Sequence, residues 1–521
     1  MAEPLRTEIP ACPAILVVGS GTAGVSAALE AANLGHPVIL VEGGPRPDEA
    51  LLGKVRDSSG IERLAAASVV EVEGRVGRFR VSIQAGSSPA VDREAGAIVV
   101  ATGTTHAPPD PVSGVTDLSS IEAAISGSAG HPIPASVGFL AYAREIGDRA
   151  AIRAIGAACE AREKHGKDAY VFTDDVTVVG PAGQALYERA LQAGVIFFRS
   201  VAVAVEKVED GAIVRGEDMI LGRPFEIRCG AVASPGALVP SPGTLSMSSI
   251  LGIGMEDGRH LGPGNVTFHP SGTQRVGVFV AGSCAGDASP EAAAMSGRIA
   301  ARKANGLIAG GRMSVVPGDV AISQKACAAC LTCLRLCPWG AIEVIPGRRT
   351  PLISDTDCHD CGLCAASCPM RAIAVEAMPD DSIVTSGLAA LPRAALPSRA
   401  VVALACDRSG WAAAALAREL GVDLPSSAGI VRVPCAGMVG TNAILSLLAS
   451  GAGAVLLLGC PEDNCANRRG SIAAARRVQW VRDLLSAIGD DPERARFRAV
   501  ASNMPHALAA ELRAASTPKG A

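Results

Sequence analysis

Twelve of the sixteen cysteines in this 521-residue sequence are clustered, eight within 327–368 and four within 406–465. Cys327-x2-Cys330-x2-Cys333-x3-Cys337 runs into Pro338, and the pattern recurs 31 residues on as Cys358-x2-Cys361-x2-Cys364-x3-Cys368 running into Pro369. The tails match as well, Ala341-Ile342-Glu343-Val344 against Ala372-Ile373-Ala374-Val375, so the segment is an internal duplication. Three closely spaced thiolates hold three irons of a cube, and the fourth cysteine of each run crosses to the other cluster. The spacing therefore predicts one [4Fe–4S] cluster on Cys327, Cys330, Cys333 and Cys368, and a second on Cys358, Cys361, Cys364 and Cys337. Zinc also takes four cysteines, but it leaves the third cysteine and the Cys-Pro of each run without a role.

Cys406, Cys435 and Cys460 each end a short apolar stretch that reads as a strand with a helix after it, and Cys465 lies in the loop beyond the third. In a parallel sheet such positions share the carboxyl edge, where ligands bind. Four thiols can converge there on one iron–sulfur cluster. Zinc, a redox disulfide pair and unrelated buried cysteines are the other readings of the same four residues. Five arginines (468, 469, 476, 477 and 482) flank this set on a predicted helix, as a solvated face, a dock for an acidic partner or an offset to cluster charge.

A different chemistry is written near the N-terminus. Gly19-Ser20-Gly21-Thr22-Ala23-Gly24 follows the apolar run 14–18 and opens a predicted helix. The first glycine makes the turn, the second lets a pyrophosphate approach the backbone, and the third packs helix on strand. Glu42 ends the next strand at the spacing of a ribose-binding acid. Further along, a strand ends in Ala101-Thr102-Gly103, and a late one ends in Ala281-Gly282 followed by Ser283. These additions resemble the fingerprints of two-dinucleotide flavoproteins and favour FAD, with Thr102, Gly103, Gly282 and Ser283 as further contacts. Those flavoproteins carry Asp directly after the late glycine; here Asp287 lies further on. The stretch 137–147 holds no second Gly-rich turn, and no cysteine pair lies in the flavin region. Cys12, Cys159, Cys229 and Cys284 read as isolated small hydrophobes, with Cys284 beside the flavin loop. No nucleophile–base constellation is visible.

Composition bounds what else the chain can be. It is 49% hydrophobic and 19% charged, which excludes a disordered chain. A net charge of −4 and 3% aromatics leave no basic field or stacking platform for nucleic acid. The N-terminus carries acids and makes a poor signal peptide. The uncharged stretch between Arg432 and Glu462 is punctuated by Pro434, Gly437, Gly440, Gly451 and Gly453, so it reads as helix–turn–strand rather than a span. The expectation is a soluble protein of a reducing cytoplasm, without a membrane span.

These sites need scaffolds. The pattern predicts a multidomain α/β chain: a Rossmann-like parallel sheet of the two-dinucleotide type, a ferredoxin segment with two [4Fe–4S] clusters, and a small C-terminal parallel α/β domain. The expected divisions are 1–134 and 229–314 for the flavin domain, with 135–228 inserted between them as a degenerate NAD-domain-like block. The ferredoxin then covers 315–380, a linker 381–398, and the last domain 399–521. A Pro/Ser/Gly stretch, 107–134, reads as a linker, and 69–84 as a β-ribbon.

Taken together, these residues resemble a heterodisulfide reductase A subunit fused to a methyl-viologen-reducing hydrogenase delta-subunit domain. The B subunit of quinone-interacting membrane-bound oxidoreductases is similar in module order. The resemblance rests on the Gly19 loop, 71–80, 184–199, 277–282, the double ferredoxin and the last four cysteines. Two departures stand out: residues 43–96 lack the extra cysteines of the usual A subunit, and Ser409 stands where the delta domain often has a second cysteine. The resemblance implies a [2Fe–2S] cluster on Cys406, Cys435, Cys460 and Cys465. It also implies an oxidoreductase component passing electrons among FAD, the two [4Fe–4S] clusters and that last centre, to or from other redox subunits. Flavin-based bifurcation is left open by it. A stand-alone NAD(P)H:acceptor enzyme and a non-catalytic iron–sulfur scaffold or redox sensor are the alternatives.

Overall fold

The computed structural model describes residues 6–43, 49–110, 113–128, 132–176, 180–262, 269–287, 289–316, 318–376, 378–391 and 400–517. Ile15–Val18 forms the centre of a parallel five-stranded sheet, flanked by Ala97–Val100 and Val38–Glu42, with Val278–Val280 and Ile61–Ala65 at the edges. All four residues of Ile15–Val18 are buried, as a strand covered on both faces requires. On one face Ile15, Val17 and Leu40 pack under the helices Thr22–Asn33 and Pro290–Ile308. On the other, Leu16, Val18 and Ile39 meet Phe79 and Val81 of an antiparallel ribbon. That ribbon pairs Ala67–Arg75 with Arg78–Ala85 and adds Val91–Ala95 as a third strand beyond the one predicted.

The second sheet is also parallel, in the order Val115–Asp117, Ala231–Ser234, Ser136–Leu140, Asp168–Thr173, Ile196–Arg199. This corrects the reading of 107–134 as a linker. Val115–Asp117 is a strand, and Asp117 caps the following helix Leu118–Ile125 by accepting from the Ser119 amide at 2.7 Å. It also moves 231–234 from the returning flavin domain into the inserted sheet. Short polar-rich strands give little periodicity, and only pairing with a distant buried strand reveals them.

Residues 318–376 build two antiparallel strand pairs, Val320–Ile322 with Ile373–Val375 and Ile342–Glu343 with Leu352–Ile353. The C-terminal sheet runs Ala428–Val433, Val401–Cys406, Ala454–Gly459, Ala495–Ala499, all parallel, between two apolar layers. The predicted linker 381–398 is corrected over its first part. Asp380–Ala390 is a helix whose Ile383 is buried in that module's core; a side chain at Gly387 would meet Leu447 at 2.6 Å. Residues 392–398 lie outside the described residues. Among those described, no helix is long and apolar enough to cross a membrane.

Candidate functional site

The turn after Ile15–Val18 is built as the glycine spacing demands. Gly19 has φ +111, and a Cβ there would stand 2.2 Å from the Ala101 carbonyl oxygen; one on Gly24 would stand 1.8 Å from that of Gly19. Gly21 differs. Nothing lies within 4 Å of its would-be Cβ, so its backbone faces open space. The helix Thr22–Asn33 has neither a side-chain cap nor an acidic residue in its first turn. Its N-terminal amides are left for an anion. This cradle fits the pyrophosphate of a dinucleotide.

Glu42 is buried at the end of its strand and held by Arg63, whose Nε and Nη2 donate to Oε1 and Oε2 at 2.5 and 3.0 Å. Each carboxylate oxygen keeps a second lone pair for a ribose hydroxyl. Sequence reasoning missed Arg63, because the partner sits on the adjacent strand. The Thr102–Gly103 loop is clamped from the helix Pro242–Leu251. Ser241 Oγ donates to the Thr102 carbonyl at 2.9 Å, and Thr244 Oγ1 to that of Gly103 at 2.6 Å. Ser283 Oγ accepts from the Thr104 amide at 3.1 Å. Asp287 folds back so that its carboxylate accepts from the Gly282 amide at 2.8 Å and from the Ser296 hydroxyl. Thus an acid does stand at the late glycine, supplied from five residues on.

Ser283, Asp287 and Thr104 line a cleft of about 510 Å³ shared with Gly147 and Asp148 of the inserted block. There the strand Ser136–Leu140 leads into a one-turn helix, Ala143–Ile146, then Gly147, then the helix Asp148–His165. Asp148 in the first turn of that helix opposes a phosphate. Cys159, Cys229 and Cys284 are buried and Cys12 is half-buried. Burial pushes the Cys229 thiol up to about 11, and Cys284 Sγ donates to the Ala281 carbonyl at 3.2 Å. They behave as packed apolar groups.

The eight ferredoxin cysteines divide into two sets in space. Cys327, Cys330, Cys333 and Cys368 border one small cavity. Cys337, Cys358, Cys361 and Cys364 border another. The fourth cysteine of each run has crossed over. Among the described residues no group of three or more His, Cys, Asp or Glu is arranged around a single ion. The backbone repeats with the sequence: Ala329 and Leu331 take positive φ in the first run, Asp360 and Gly362 in the second. Amides point at sulfur in the same places, Ala341 to Cys337 Sγ at 3.4 Å and Ala372 to Cys368 Sγ at 3.3 Å. Burial pushes Cys358 and Cys361 up to about 12 and Cys364 to about 11. Thiols this reluctant to ionise alone become thiolates when a cation replaces the proton. Cys330 is exposed, and a hydrogen bond with the Thr332 hydroxyl holds its thiol below the usual range.

All four last cysteines are buried at the carboxyl edge of the C-terminal sheet. Cys406 Sγ lies 3.8 Å from Cys460 Sγ. Cys406 also neighbours Cys435, and Cys460 neighbours Cys465; hydrogen bonds between thiols, with burial, raise the pKa values of Cys406, Cys460 and Cys465. A Cβ on Gly470 would stand 2.5 Å from Cys435 Sγ and 3.5 Å from Cys465 Sγ. Gly470 opens the helix Gly470–Ala487, whose N-terminal end therefore faces the sulfurs and favours negative charge on them. The Ser409 hydroxyl, three residues after Cys406, is buried with no hydrogen-bond partner. A polar group orphaned three residues after Cys406 fits a site built around something more.

The arginine-rich segment is not one solvated face. Arg477 is buried, donating to the Gly437 and Val439 carbonyls and, at 2.6 Å, to Ser367 Oγ in the ferredoxin segment. Arg482 pairs with Glu493. Cys361, Leu363 and Cys435 share one buried cluster, and Trp339 Nε1 donates to Asn467 Oδ1 at 3.2 Å. The second ferredoxin cavity and the terminal cysteines therefore stand side by side.

A flavoprotein-type dinucleotide fold, a dicluster ferredoxin fold and a cysteine-bearing parallel α/β module define an iron–sulfur flavoprotein. Three family models match in that order. Residues 13–137 match pyridine nucleotide-disulphide oxidoreductase, 319–376 a 4Fe-4S dicluster domain, and 401–517 methyl-viologen-reducing hydrogenase, delta subunit. The vhu iron-sulfur D subunit of the F420-non-reducing hydrogenase of Methanopyrus kandleri is 44% identical over 94 residues, 18% of this chain and 71% of that protein. The A subunit of the ferredoxin:CoB-CoM heterodisulfide reductase of Methanosarcina mazei is 24% identical over 333 residues, 64% of this chain and 42% of that protein. The C-terminal module belongs to the methyl-viologen-reducing hydrogenase delta-subunit family, and it is fused to a flavoprotein and dicluster-ferredoxin portion similar to heterodisulfide reductase A subunits. The chain spans less than half the length of the A subunits it matches.

Proposed function

We propose that this chain is a cytoplasmic electron-transfer subunit of a heterodisulfide-reductase-like or quinone-linked redox complex. FAD would be held by Gly19, Gly21, Thr22, Gly24, Glu42, Thr102, Gly103, Gly282 and Ser283. To that set we add Arg63, which orients Glu42, and Asp287. Two [4Fe–4S] clusters would take the two ferredoxin cysteine sets, and a [2Fe–2S] cluster the last four cysteines. When bound, the flavin exchanges electrons in pairs and the clusters singly; the protein sets their spacing and potential.

The observation that carries this reading is the contact of Cys361 with Cys435 through one apolar cluster, which sets the second ferredoxin site against the terminal one. Exposure of Cys330 makes the first ferredoxin site a second port to a partner protein. Asp148 and the missing Gly-rich turn weigh against a stand-alone NAD(P)H enzyme.

The test is Cys435→Ser in the anaerobic, flavin-loaded protein, followed by single-turnover transfer to the natural partner. Loss of the terminal centre and of transfer, with flavin and both [4Fe–4S] signals kept, is expected. Unchanged transfer without that centre would mean that electrons leave through the Cys330 face.

A further inference from the structure

Three regions far apart in sequence line a second cleft of about 520 Å³, distinct from the one beside Ser283 and Asp287. Gly74, Arg75 and 274–276 come from the flavin region, Arg335–Gly340 from the ferredoxin, and Arg468 and Arg469 from the C-terminal module. Five guanidinium groups line it, those of Arg75, Arg275, Arg335, Arg468 and Arg469, against two carboxylates, Glu343 and Asp357.

The carboxylates are already engaged. Glu343 accepts from Arg75 Nη2 at 2.6 Å, and Asp357 from the Ser354 hydroxyl at 2.7 Å. Arg275 donates to the Gly74 carbonyl at 2.9 Å and lies over the Phe79 ring; Asp357 attracts it at longer range, and desolvation by burial works against its charge. No ion pair joins Arg335, Arg468 or Arg469 to a carboxylate among the described residues. Arg468 is half-buried and sits in the left-handed region at φ +55, a strained conformation for a side-chain-bearing residue. Arg468 and its exposed neighbour Arg469 repel one another and are stabilised by an anion between them. Guanidinium forks match phosphate oxygens two at a time. The cleft is too large for a single phosphate and too cationic for a neutral ligand.

We infer that this three-module cleft binds a polyphosphate anion, either inorganic pyrophosphate or the diphosphate of a nucleotide. Such a ligand would tie the flavin region, the ferredoxin and the terminal module together beside Cys337, which borders both this cleft and the second ferredoxin cavity. The inference stands apart from the electron-transfer reading, because it concerns binding alone.

The experiment is calorimetric titration of the anaerobic, FAD-loaded, cluster-replete protein. Pyrophosphate and ADP form separate arms, with orthophosphate at matched ionic strength as control. One equivalent of pyrophosphate or ADP should bind saturably with flavin absorbance unchanged, which excludes displacement from the Gly19 site. Tighter binding of ADP than of pyrophosphate identifies a nucleotide; the reverse identifies the free anion. Arg468→Ala/Arg469→Ala should weaken binding at least tenfold. The single variant Arg335→Ala, at an exposed side chain, should weaken it severalfold without disturbing the fold. Absence of saturable binding, or equal affinity in both variants and the parent, overturns the inference and leaves these arginines as counter-charge to the iron–sulfur centre.

Discussion

Cys361 and Cys435 belong to different cysteine sets, yet they are buried in one cluster together with Leu363. A path through packed side chains therefore links the ferredoxin to the C-terminal module at the point where both would carry iron. Arg477 fixes this junction by reaching from the C-terminal helix to Ser367, next to Cys368.

Arg477→Met should loosen that junction. It removes the hydrogen bonds to the Gly437 and Val439 carbonyls and to Ser367, at about 1–3 kcal/mol for the groups left unsatisfied. Denaturant unfolding should show the loss, and electron transfer between the ferredoxin and terminal centres should slow while all centres remain assembled. Full stability would mean the bridge is incidental.

Gly21→Val should fold and lose flavin. Gly21 sits in extended backbone, φ −70 and ψ −179, and its Cβ direction is open, so valine meets nothing in the protein. It would instead fill the space a pyrophosphate needs. Thermal melting close to the parent's, with flavin absorbance gone, is the expected pair of results.

Cys337→Ser should damage the cluster of the other run. Cys337 borders the cavity of Cys358, Cys361 and Cys364 rather than that of its own sequence neighbours. Low-temperature electron paramagnetic resonance should lose or convert one [4Fe–4S] signal, and Cys368→Ser should affect the other. Iron analysis of the parent should give about ten atoms per chain, from two four-iron clusters and one two-iron cluster.

Ser409→Ala removes a buried hydroxyl that has no protein partner. Stability should therefore hold or rise. If that hydroxyl donates to the terminal centre, its loss moves the centre's midpoint to more negative values, since hydrogen bonds to cluster sulfurs stabilise the reduced form. A potentiometric titration reads the shift, and an unmoved midpoint would show that the hydroxyl points elsewhere.

Removing iron should unfold the ferredoxin segment before the sheets. Residues 318–376 hold only strands of two or three residues and little apolar core. In such a module cluster binding supplies much of the folding energy. Hydrogen exchange after chelation should show protection lost over 318–376 and kept over Ile15–Val18 and Val401–Cys406.

Features whose chemistry is local were legible in the chain alone. The glycine turn at 19–24, the duplicated cysteine runs and the crossover of Cys337 and Cys368 follow from spacing along one stretch of residues. The three apolar strands before Cys406, Cys435 and Cys460 follow from continuous hydrophobicity. Whatever depends on distant segments was settled only by packing. Arg63 grips Glu42 because their strands are neighbours in the sheet, and Asp287 returns to Gly282 because the loop between them doubles back. Val115–Asp117 becomes a strand only by pairing with Ala231–Ser234, and Asp380–Ala390 a helix docked on the C-terminal core. Arg477 reads as one more surface cation in a basic helix until the fold buries it against another module. Local spacing is encoded residue by residue, whereas burial and partner choice belong to the packed whole.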